Sequence, residues 1–396
     1  MKTYLLLPCV FFLTLAGLRA DPPVVSNVVA SQRAGTKFVD IYYNLAASTS
    51  TVAISVQLSG DGGVTYTLPA VTLTGAVGAG VAPGTGNHIV WDAGMDWNGQ
   101  LVQNCQVRVA ANDGTTQAPP PGMAYIQAGP FQMGDNFAEG DTAELPVHNV
   151  QVSAFAMDVN LVTGALWASV QQWGAGNGYD CATGLCKGTN HPVQTINWYD
   201  AVKWCNARSQ KEGLTPCYYT DATQTTVYKT GQLDLQNAWV KWSANGYRLP
   251  TEAEWEKAAR GGQVALRFPW GNTISHTNAN FINDGGESYA TGTGSYDPTW
   301  RTGNPPYTTP AGSYAPNGYG LRDMAGNVYE WCWDRYGVYY GASPAADPQG
   351  LAAGSNRVLR GGSWSTYAYS CRAANRSRAS PGSTDNSYGL RCARGL

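Results

Sequence analysis

From Met123 to its last residue the chain has few long periodic stretches of apolar residues. Most of this part is irregular in pattern, is rich in Gly, Asn and Trp, and is too long to be an ordinary loop. Ordering so much irregular backbone costs conformational entropy, which crosslinks, metal ions or aromatic packing must offset. We therefore expect a fold with little regular secondary structure that is held together by contacts of these kinds.

Two segments in this part predict helices. The first, Thr251 to Arg260, begins with an N-cap residue, and Glu254 three positions later completes the pattern of a capping box. The second is predicted from Asp200 to Arg208 and ends before Gly213.

Residues 1–20 have the pattern of a secretory signal peptide. A charged start at Lys2 precedes an apolar run that ends at Leu18, and the small Ala20 can occupy the cleavage position. A membrane anchor would need a longer apolar run, and no later stretch is long enough to span a bilayer. The protein is expected to be exported, either secreted or held in the periplasm or at the cell surface.

The next part of the chain predicts a separate β domain. Over residues 22–114, short segments that alternate in a β fashion are separated by Gly-rich turns. Strands at this spacing favour an immunoglobulin- or fibronectin-like all-β sandwich, for which a spacer or adhesion role is the simplest interpretation. The Pro-rich residues 115–122 predict a semi-rigid linker, and residues 123–396 make the second domain.

Charge and cysteine content narrow the possible functions. Only 13% of residues are charged, the formal net charge is −2, and no Lys/Arg run occurs, so nucleic acid is not an expected partner. The four histidines are scattered, which argues against a zinc hydrolase. Apart from Cys9 in the signal segment, eight of the nine cysteines remain, and in an exported protein this even number predicts disulfides.

Three motifs are more specific than these general features. They are Arg248-Leu-Pro-Thr-Glu-Ala-Glu-Trp-Glu256, Gly318 to Trp331, and Arg357-Val-Leu-Arg-Gly-Gly-Ser-Trp364. With further landmarks in the same order, they make residues 129–394 resemble the formylglycine-generating enzyme (sulfatase-modifying factor) family. The resemblance implies an α+β domain, a variant of the C-type-lectin-like fold, and the fold alone implies no activity.

The resemblance also implies a catalytic site that this chain lacks in part. Catalytic members hold copper(I) with two cysteines, two and seven residues after the aromatic residue of Gly-Gly-Ser-aromatic, and thiolates suit this metal. Those positions are Thr366 and Cys371 here. Because Thr366 has no thiol, neither copper nor formylglycine generation is expected. Should the chain be an enzyme, Ser363, which matches the family's active-site serine, and Cys371 are its catalytic candidates.

Cys371 also matches a structural cysteine of the family, so a disulfide is the expected role for it. The disulfides implied by the resemblance are Cys332–Cys371 and Cys205–Cys392, with Cys181–Cys186 as a candidate for a local loop. Sequence alone fixes no connectivity, and Cys105 and Cys217 remain unassigned.

Structural calcium is the cofactor that the resemblance implies. At the first site Asp323 and Glu330 would supply carboxylates, and the backbone of Gly326 and Val328 would supply carbonyls. Hard oxygen ligands of this kind suit Ca²⁺, although Glu330 capping a turn is the alternative.

A second calcium site would begin at Asn280 with the carbonyl of Phe281, and its carboxylate would be Asp284 or Asp297. In the helix predicted from Thr251, the acidic motif is expected to be structural, with Arg248 paired to a buried acid.

The C-terminal segment favours ligand binding over catalysis. Its side chains are mostly Ser, Thr, Tyr, Asn, Ala and Arg, a mixture typical of adaptable binding surfaces. The candidate ligand-binding residues are Trp364, Ser365, Thr366, Tyr367, Tyr369, Asn375, Ser377, Asp385, Asn386 and Tyr388. The partner is expected to be an unidentified protein or glycan. Three alternatives stay open: a variable protein of a diversity-generating retroelement, an oxidase or accessory factor for sulfatases, and an extracellular adhesion protein.

Overall fold

The computed structural model describes residues 23–47, 49–60, 68, 70–97, 105–112, 119–292, 294–337 and 346–395. The chain divides into two compact units, Met1–Gln117 and Ala118–Leu396. The predicted signal segment and most of the predicted linker lie outside the described residues.

The N-terminal unit consists mainly of antiparallel strands. Its elements are β1 (Val24–Gln32), β2 (Phe38–Ala46), β3 (Val52–Ser59), β4 (Leu73–Gly75), β5 (Gly78–Val81), β6 (Gly84–Asp92), the one-turn helix α1 (Ala93–Asp96) and β7 (Gln106–Asn112). They form one sheet in the order β1-β2-β6-β4 and a second in the order β5-β3-β7.

The two sheets of this unit share one core. Ile41 and Ile89 from the first sheet and Val52 and Ile54 from the second belong to the same buried cluster, as the alternating pattern of apolar residues requires. The strand content agrees with the predicted β domain, with α1 as its one helical turn among the described residues. The immunoglobulin- or fibronectin-like type stays a prediction.

The C-terminal unit mixes short strands with helices and long irregular segments. Its elements are β8 (Met123–Ile126), β9 (Gly129–Met133), β10 (His148–Val152), β11 (Phe155–Asp158), α2 (Gly164–Ala175), α3 (Trp198–Lys211), α4 (Glu252–Arg260), β12 (Tyr329–Arg335), β13 (Arg357–Arg360), β14 (Ser377–Ala379), β15 (Tyr388–Gly389) and β16 (Ala393–Gly395). The sheets are the pair β9-β10, the sheet β16-β11-β8, and the sheet β14-β13-β12-β15, in which β12 and β15 are parallel.

Local signals explain the start and end of α4. The Thr251 side chain accepts a hydrogen bond from Glu254 N, and the Glu254 side chain accepts one from Thr251 N, so the predicted capping box is confirmed. Gly261 ends the helix with a left-handed φ of 58°. All nine residues of α4 are buried, its charged ones included, which places the motif from Arg248 onward in the interior of the unit.

The other two helices were predicted less well. Helix α3 begins at Trp198 and ends at Lys211, so it is longer at both ends than predicted, and its N-cap is Asn197, whose side chain accepts from Asp200 N. Helix α2 was not predicted. Thr163 caps it, and Gly174 faces α3, because a Cβ there would lie 3.4 Å from Ala207.

Aromatic packing and buried ion pairs hold the irregular segments in place. Trp167 and Trp204 stack with ring centroids 5.2 Å apart between α2 and α3. The buried ion pairs include Glu144–Arg372 (2.7 Å), Arg248–Glu254 (2.6 Å), Glu252–Arg376 (2.7 Å), Glu256–Arg260 (2.7 Å), Glu256–Arg360 and Glu330–Arg391 (2.7 Å). The acidic motif of α4 is thus paired with arginines, as expected for a structural role.

Candidate functional site

The Gly-Gly-Ser-Trp segment turns sharply after β13. Gly361 and Gly362 have left-handed φ values of 92° and 73°. A Cβ at Gly361 would lie 3.0 Å from the Trp255 ring, and one at Gly362 would lie 2.8 Å from Cys371 Sγ. Both positions therefore require glycine, because the turn packs directly against α4 on one side and against Cys371 on the other.

Thr366, which the sequence resemblance matches by count to the first catalytic cysteine, closes the next turn. Its Oγ1 accepts a hydrogen bond from Ser363 N at 2.8 Å and donates to the Ser363 carbonyl at 3.2 Å. The Ser363 hydroxyl is buried and lies 3.2 Å from the Ser365 hydroxyl. The hydroxyl of Thr366 thus has a structural partner on the backbone and supplies no thiolate.

Cys371, the second candidate thiol, is fully buried. It belongs to an apolar cluster with Phe268, Ile274, Ala279, Phe281, Ala325 and Ala368. Burial raises the pKa of the Cys371 thiol well above its usual range, which favours the protonated thiol over the reactive thiolate.

Two of the predicted ligand-binding residues are buried, which corrects the prediction for them. Trp364 is 4% exposed and packs against Tyr296 and Tyr307, with ring centroids 5.8 and 5.4 Å away. Asn375 is 6% exposed, and its amide donates to Glu144 at 3.1 Å beside Arg372. Aromatic packing buries Trp364, whereas Asn375 is buried because its amide completes the hydrogen bonds of a buried ion pair.

The remaining candidates are exposed or partly exposed, and we call them together the display surface: Ser365, Thr366, Tyr367, Tyr369, Ser377, Asp385, Asn386 and Tyr388. Its two most exposed rings, Tyr367 (40% exposed) and Tyr369 (47%), have centroids 6.3 Å apart. Trp364 Nε1 donates to the Asn386 carbonyl at 3.1 Å, which joins the turn at Ser363 to the loop that precedes β15.

The other half of the display surface is held by tyrosine contacts. Tyr388 is half-buried, and its ring contacts Trp331 and Tyr329 at 5.4 and 6.3 Å. Its backbone N–H donates to the Asp385 carbonyl at 3.1 Å. The structure therefore brings the Gly-Gly-Ser-Trp turn and the loop before β15 next to one another.

Sequence reasoning missed the residues that flank this surface. The rings of Tyr296 and Tyr307 cover Trp364, and both carry a cation: Arg301 lies 5.6 Å from the Tyr296 ring and Lys187 lies 5.2 Å from the Tyr307 ring. Their positions lie in irregular segments with no periodic pattern, so the only signal was aromatic residues within Gly/Pro-rich chain.

Asp323 fits its predicted role as a calcium ligand. Its side chain is buried, Oδ2 accepts a hydrogen bond from Gly312 N at 2.6 Å, and Oδ1 has no partner among the described residues. Burial raises the pKa of this carboxyl to about 6. A cation would satisfy the unpartnered oxygen and favour the charged form.

Glu330 has other partners in this structure. Its carboxylate accepts hydrogen bonds from Arg391 Nε at 2.7 Å, from Arg391 Nη2 at 2.9 Å and from Trp255 Nε1 at 2.8 Å. Arg391 thus already balances the charge of Glu330, whereas Asp323 keeps an unpartnered oxygen. Calcium binding by Asp323, Gly326, Val328 and Glu330 stays a prediction.

The residues of the second predicted calcium site have other partners in this structure. The Phe281 carbonyl accepts from His276 Nε2 at 3.1 Å, and the Asn280 amide donates to the Tyr307 carbonyl at 2.7 Å. The carboxylate of Asp297 accepts from Thr299 N and from the Tyr314 hydroxyl, while Asp284 is exposed. This site stays a prediction. Over the described ranges, no three His, Cys, Asp or Glu side chains are grouped to hold a metal.

The predicted disulfides are not formed in this structure. All cysteines from Cys105 onward are free thiols. Cys205 and Cys392 face each other, with sulfurs 3.7 Å apart, as the predicted pair would. Cys332 and Cys371 lie in separate apolar clusters, so the structure does not bring the second predicted pair together. Cys181 is buried and Cys186 is exposed.

The helices in the described part of the chain are all too short or too polar to cross a membrane.

The C-terminal unit is a mixed α/β domain with long irregular segments. Comparison with known proteins identifies its family. Residues 109–396 match the family described as sulfatase-modifying factor enzyme 1-like domain. The formylglycine-generating enzyme of Streptomyces coelicolor is 34% identical over 289 residues, which cover 69% of this chain and 88% of that enzyme. The chain therefore belongs to the sulfatase-modifying factor family.

Other relatives carry different names. The serine/threonine-protein kinase pkn1 of Chlamydia pneumoniae is 34% identical over 295 residues, and the chain spans 38% of the length of that protein. Among solved structures, Treponema denticola variable protein 1 is 32% identical, with a TM-score of 0.53 over 69% of this chain and 94% of that one. The relatives of this chain thus have different assigned roles, and family membership alone does not identify its function.

Proposed function

We propose that this chain is an exported, non-oxidase member of its family that binds a protein or glycan ligand through the display surface. One observation carries the proposal: Thr366 closes a turn where the first catalytic thiol would stand, while the neighbouring Tyr367 and Tyr369 expose their rings. Tyrosine offers a large contact area at a low cost in conformational entropy, and hydroxyl and amide side chains beside it adapt their hydrogen bonds.

Variation of the display surface is a second proposal within the same function. The similarity to Treponema denticola variable protein 1 supports it. So does the arrangement of the chain, because the exposed positions are carried by a frame of buried groups such as Arg372, Arg376 and Arg391. Exposed side chains on a rigid buried frame can change without loss of the core. A near-identical template repeat beside the gene would be the expected genomic sign.

Export, calcium and one disulfide complete the proposal. The signal-like residues 1–20 support export to the periplasm, the cell surface or the medium. The unpartnered Oδ1 of Asp323 supports structural calcium at the loop before β12. The closeness of the two sulfurs supports a Cys205–Cys392 disulfide under oxidising conditions.

Binding is tested with the purified chain on arrays of extracellular proteins and glycans. The double substitution Tyr367→Ala, Tyr369→Ala is expected to remove any saturable signal, because it removes most of the exposed aromatic area. Tyr42→Ala, at a tyrosine of the N-terminal unit that is 45% exposed, is the matched control and should keep the signal. A signal that survives the double substitution would place the binding site elsewhere.

The alternative, an oxidase or an accessory factor for sulfatases, is tested with copper(I) and a sulfatase peptide. Titration of the reduced chain with copper(I) against a competing chelator should show no tight site, and the peptide cysteine should stay unmodified. Tight binding that Cys371→Ser abolishes, accompanied by peptide oxidation, would favour the enzyme instead.

A further inference from the structure

A pocket of about 260 Å³ lies in the C-terminal unit beside the N-terminus of α4 and shares no residue with the display surface. Its walls come from the turn between β10 and β11, from Trp242, from the segment before α4 that includes Arg248, and from residues 347–349. Pockets for drug-sized ligands in proteins range upward from about 300 Å³. Because this pocket is slightly smaller than that, it suits a smaller ligand, the size of a single ring.

Asp347 is held firmly in one wall of this pocket. Its carboxylate accepts hydrogen bonds from the Ser153 backbone N–H at 2.6 Å and from the Ser153 hydroxyl at 2.7 Å. Its own N–H donates to the Gln151 carbonyl at 2.8 Å, and its φ of 42° is left-handed. Non-glycine residues in this conformation carry strain and occur often at functional sites. The exposed carboxylate is thus a preorganised acceptor.

Trp242 supplies the aromatic side of the pocket. Its indole N–H donates to the Asn237 carbonyl at 3.2 Å, and its ring contacts Trp333 edge-on at 5.9 Å. The ring is therefore fixed in orientation, yet it stays partly exposed. Ala154 and Pro348 add apolar surface next to it. A fixed ring beside small apolar groups suits the flat C–H face of a cyclic ligand.

The charges around the pocket favour a neutral ligand over an anion. Arg248 pairs with Glu254 at 2.6 Å, so these two charges cancel, and Asp347 adds one further negative charge. The Nε–H of Arg248 has no acceptor among the described residues, and the Gln349 amide also lines the space. The polar groups thus include donors as well as acceptors, without a net positive charge.

We propose that this pocket binds one neutral sugar ring, either a free monosaccharide or the terminal residue of a glycan. The sugar's apolar face stacks on Trp242, a hydroxyl donates to the Asp347 carboxylate, and another hydroxyl bonds to the Gln349 amide. The site is independent of the display surface and of whatever that surface binds.

The proposal is tested by titrating the full chain with single sugars and following saturation-transfer NMR and tryptophan fluorescence. Glucose, galactose, mannose, fucose and N-acetylglucosamine are the neutral probes, glucose 6-phosphate is the anionic one, and methyl glycosides of the neutral sugars stand in for a glycan terminus. We expect saturable binding of at least one neutral sugar in the millimolar range. Equal affinity for its methyl glycoside would indicate a glycan terminus, and loss of affinity would indicate the free sugar.

Two substitutions and a control make the test specific. Gln349→Ala should weaken the binding of that sugar about fivefold, because it removes a single neutral hydrogen bond, and Asp347→Asn should weaken it about tenfold. Tyr367→Ala, on the display surface, should leave it unchanged. The proposal is overturned if no neutral sugar saturates by about 50 mM, if glucose 6-phosphate binds more tightly than glucose, or if both pocket variants bind like the original chain. Loss of sugar binding in Tyr367→Ala would also overturn it, because the display surface would then be the sugar site.

Discussion

Glu330 and Arg391 form a two-point ion pair in the centre of the C-terminal unit, with Nε and Nη2 of Arg391 at 2.7 and 2.9 Å from the carboxylate. Both side chains are fully buried. Parallel pairing of β12 with β15 brings the two residues together across 61 positions of the chain. The pair therefore ties β12 to the last segment of the fold.

Arg391→Met is expected to destabilise the protein by about 3–5 kcal/mol, because it leaves the Glu330 carboxylate buried without a partner. The shift of the urea midpoint measures the loss. Arg33→Met is the matched control: Arg33 pairs with Asp40 at 2.7 Å, but its side chain is 44% exposed, and the expected loss is below about 1 kcal/mol. Equal losses in the two variants would show that burial of the Glu330 pair is not what matters.

Gly362→Ala is expected to destabilise the Gly-Gly-Ser-Trp turn through two separate effects. A left-handed φ of 73° costs a non-glycine residue about 1–2 kcal/mol, and the new Cβ would also lie 2.8 Å from Cys371 Sγ. Gly285→Ala, at a φ of 75° with open space around it, isolates the first effect. Thermal unfolding should show a clearly larger loss for Gly362→Ala. Similar losses would contradict the packing of the turn against Cys371.

Oxidation is expected to join Cys205 and Cys392, whose sulfurs lie 3.7 Å apart although the residues are 187 positions apart. Closing so long a loop should stabilise the protein by about 2–5 kcal/mol. Peptide mapping under non-reducing conditions identifies the bond, and unfolding with and without reductant measures its effect. Cys392→Ser should remove the difference between the two conditions. Recovery of Cys332 joined to Cys371 instead would contradict the placement of these residues in separate clusters.

Stability is expected to fall as the pH rises between about 4 and 8, because burial and the nearby charge of Glu252 raise the pKa of Asp334 to about 8. In this window the folded state binds a proton that the unfolded state, with a pKa near 3.9, has lost. The slope for one such group is about 1.4 kcal/mol per pH unit.

Asp334→Asn should flatten that slope while its side-chain oxygen still accepts the hydrogen bond from Glu252 N, which is 2.7 Å long in the original. Denaturant midpoints measured at about pH 5, 6.5 and 8 test this. Asp221→Asn is the control, because the pKa of the partly exposed Asp221 is lowered and its effect falls below this window. An unchanged slope in Asp334→Asn would show that another group governs the pH dependence.

Local signals allowed part of the fold to be predicted. The capping box at Thr251 and Glu254 located α4, and the alternating segments before residue 114 indicated strands, because both patterns depend on residues a few positions apart. Helix α2 was missed because its sequence is rich in Gly and Trp and only weakly amphipathic, although Thr163 offered an N-cap signal.

The sequence by itself determined the family, through motifs that stand in a fixed order. Only the tertiary structure decided which neighbours of Thr366 face the solvent. Trp364 and Asn375 looked like ligand-binding residues, but contacts with Tyr296 and Glu144, distant in the chain, draw them inside. The reason is physical: burial of an irregular segment depends on long-range packing and charge pairing, which leave no periodic trace along the sequence.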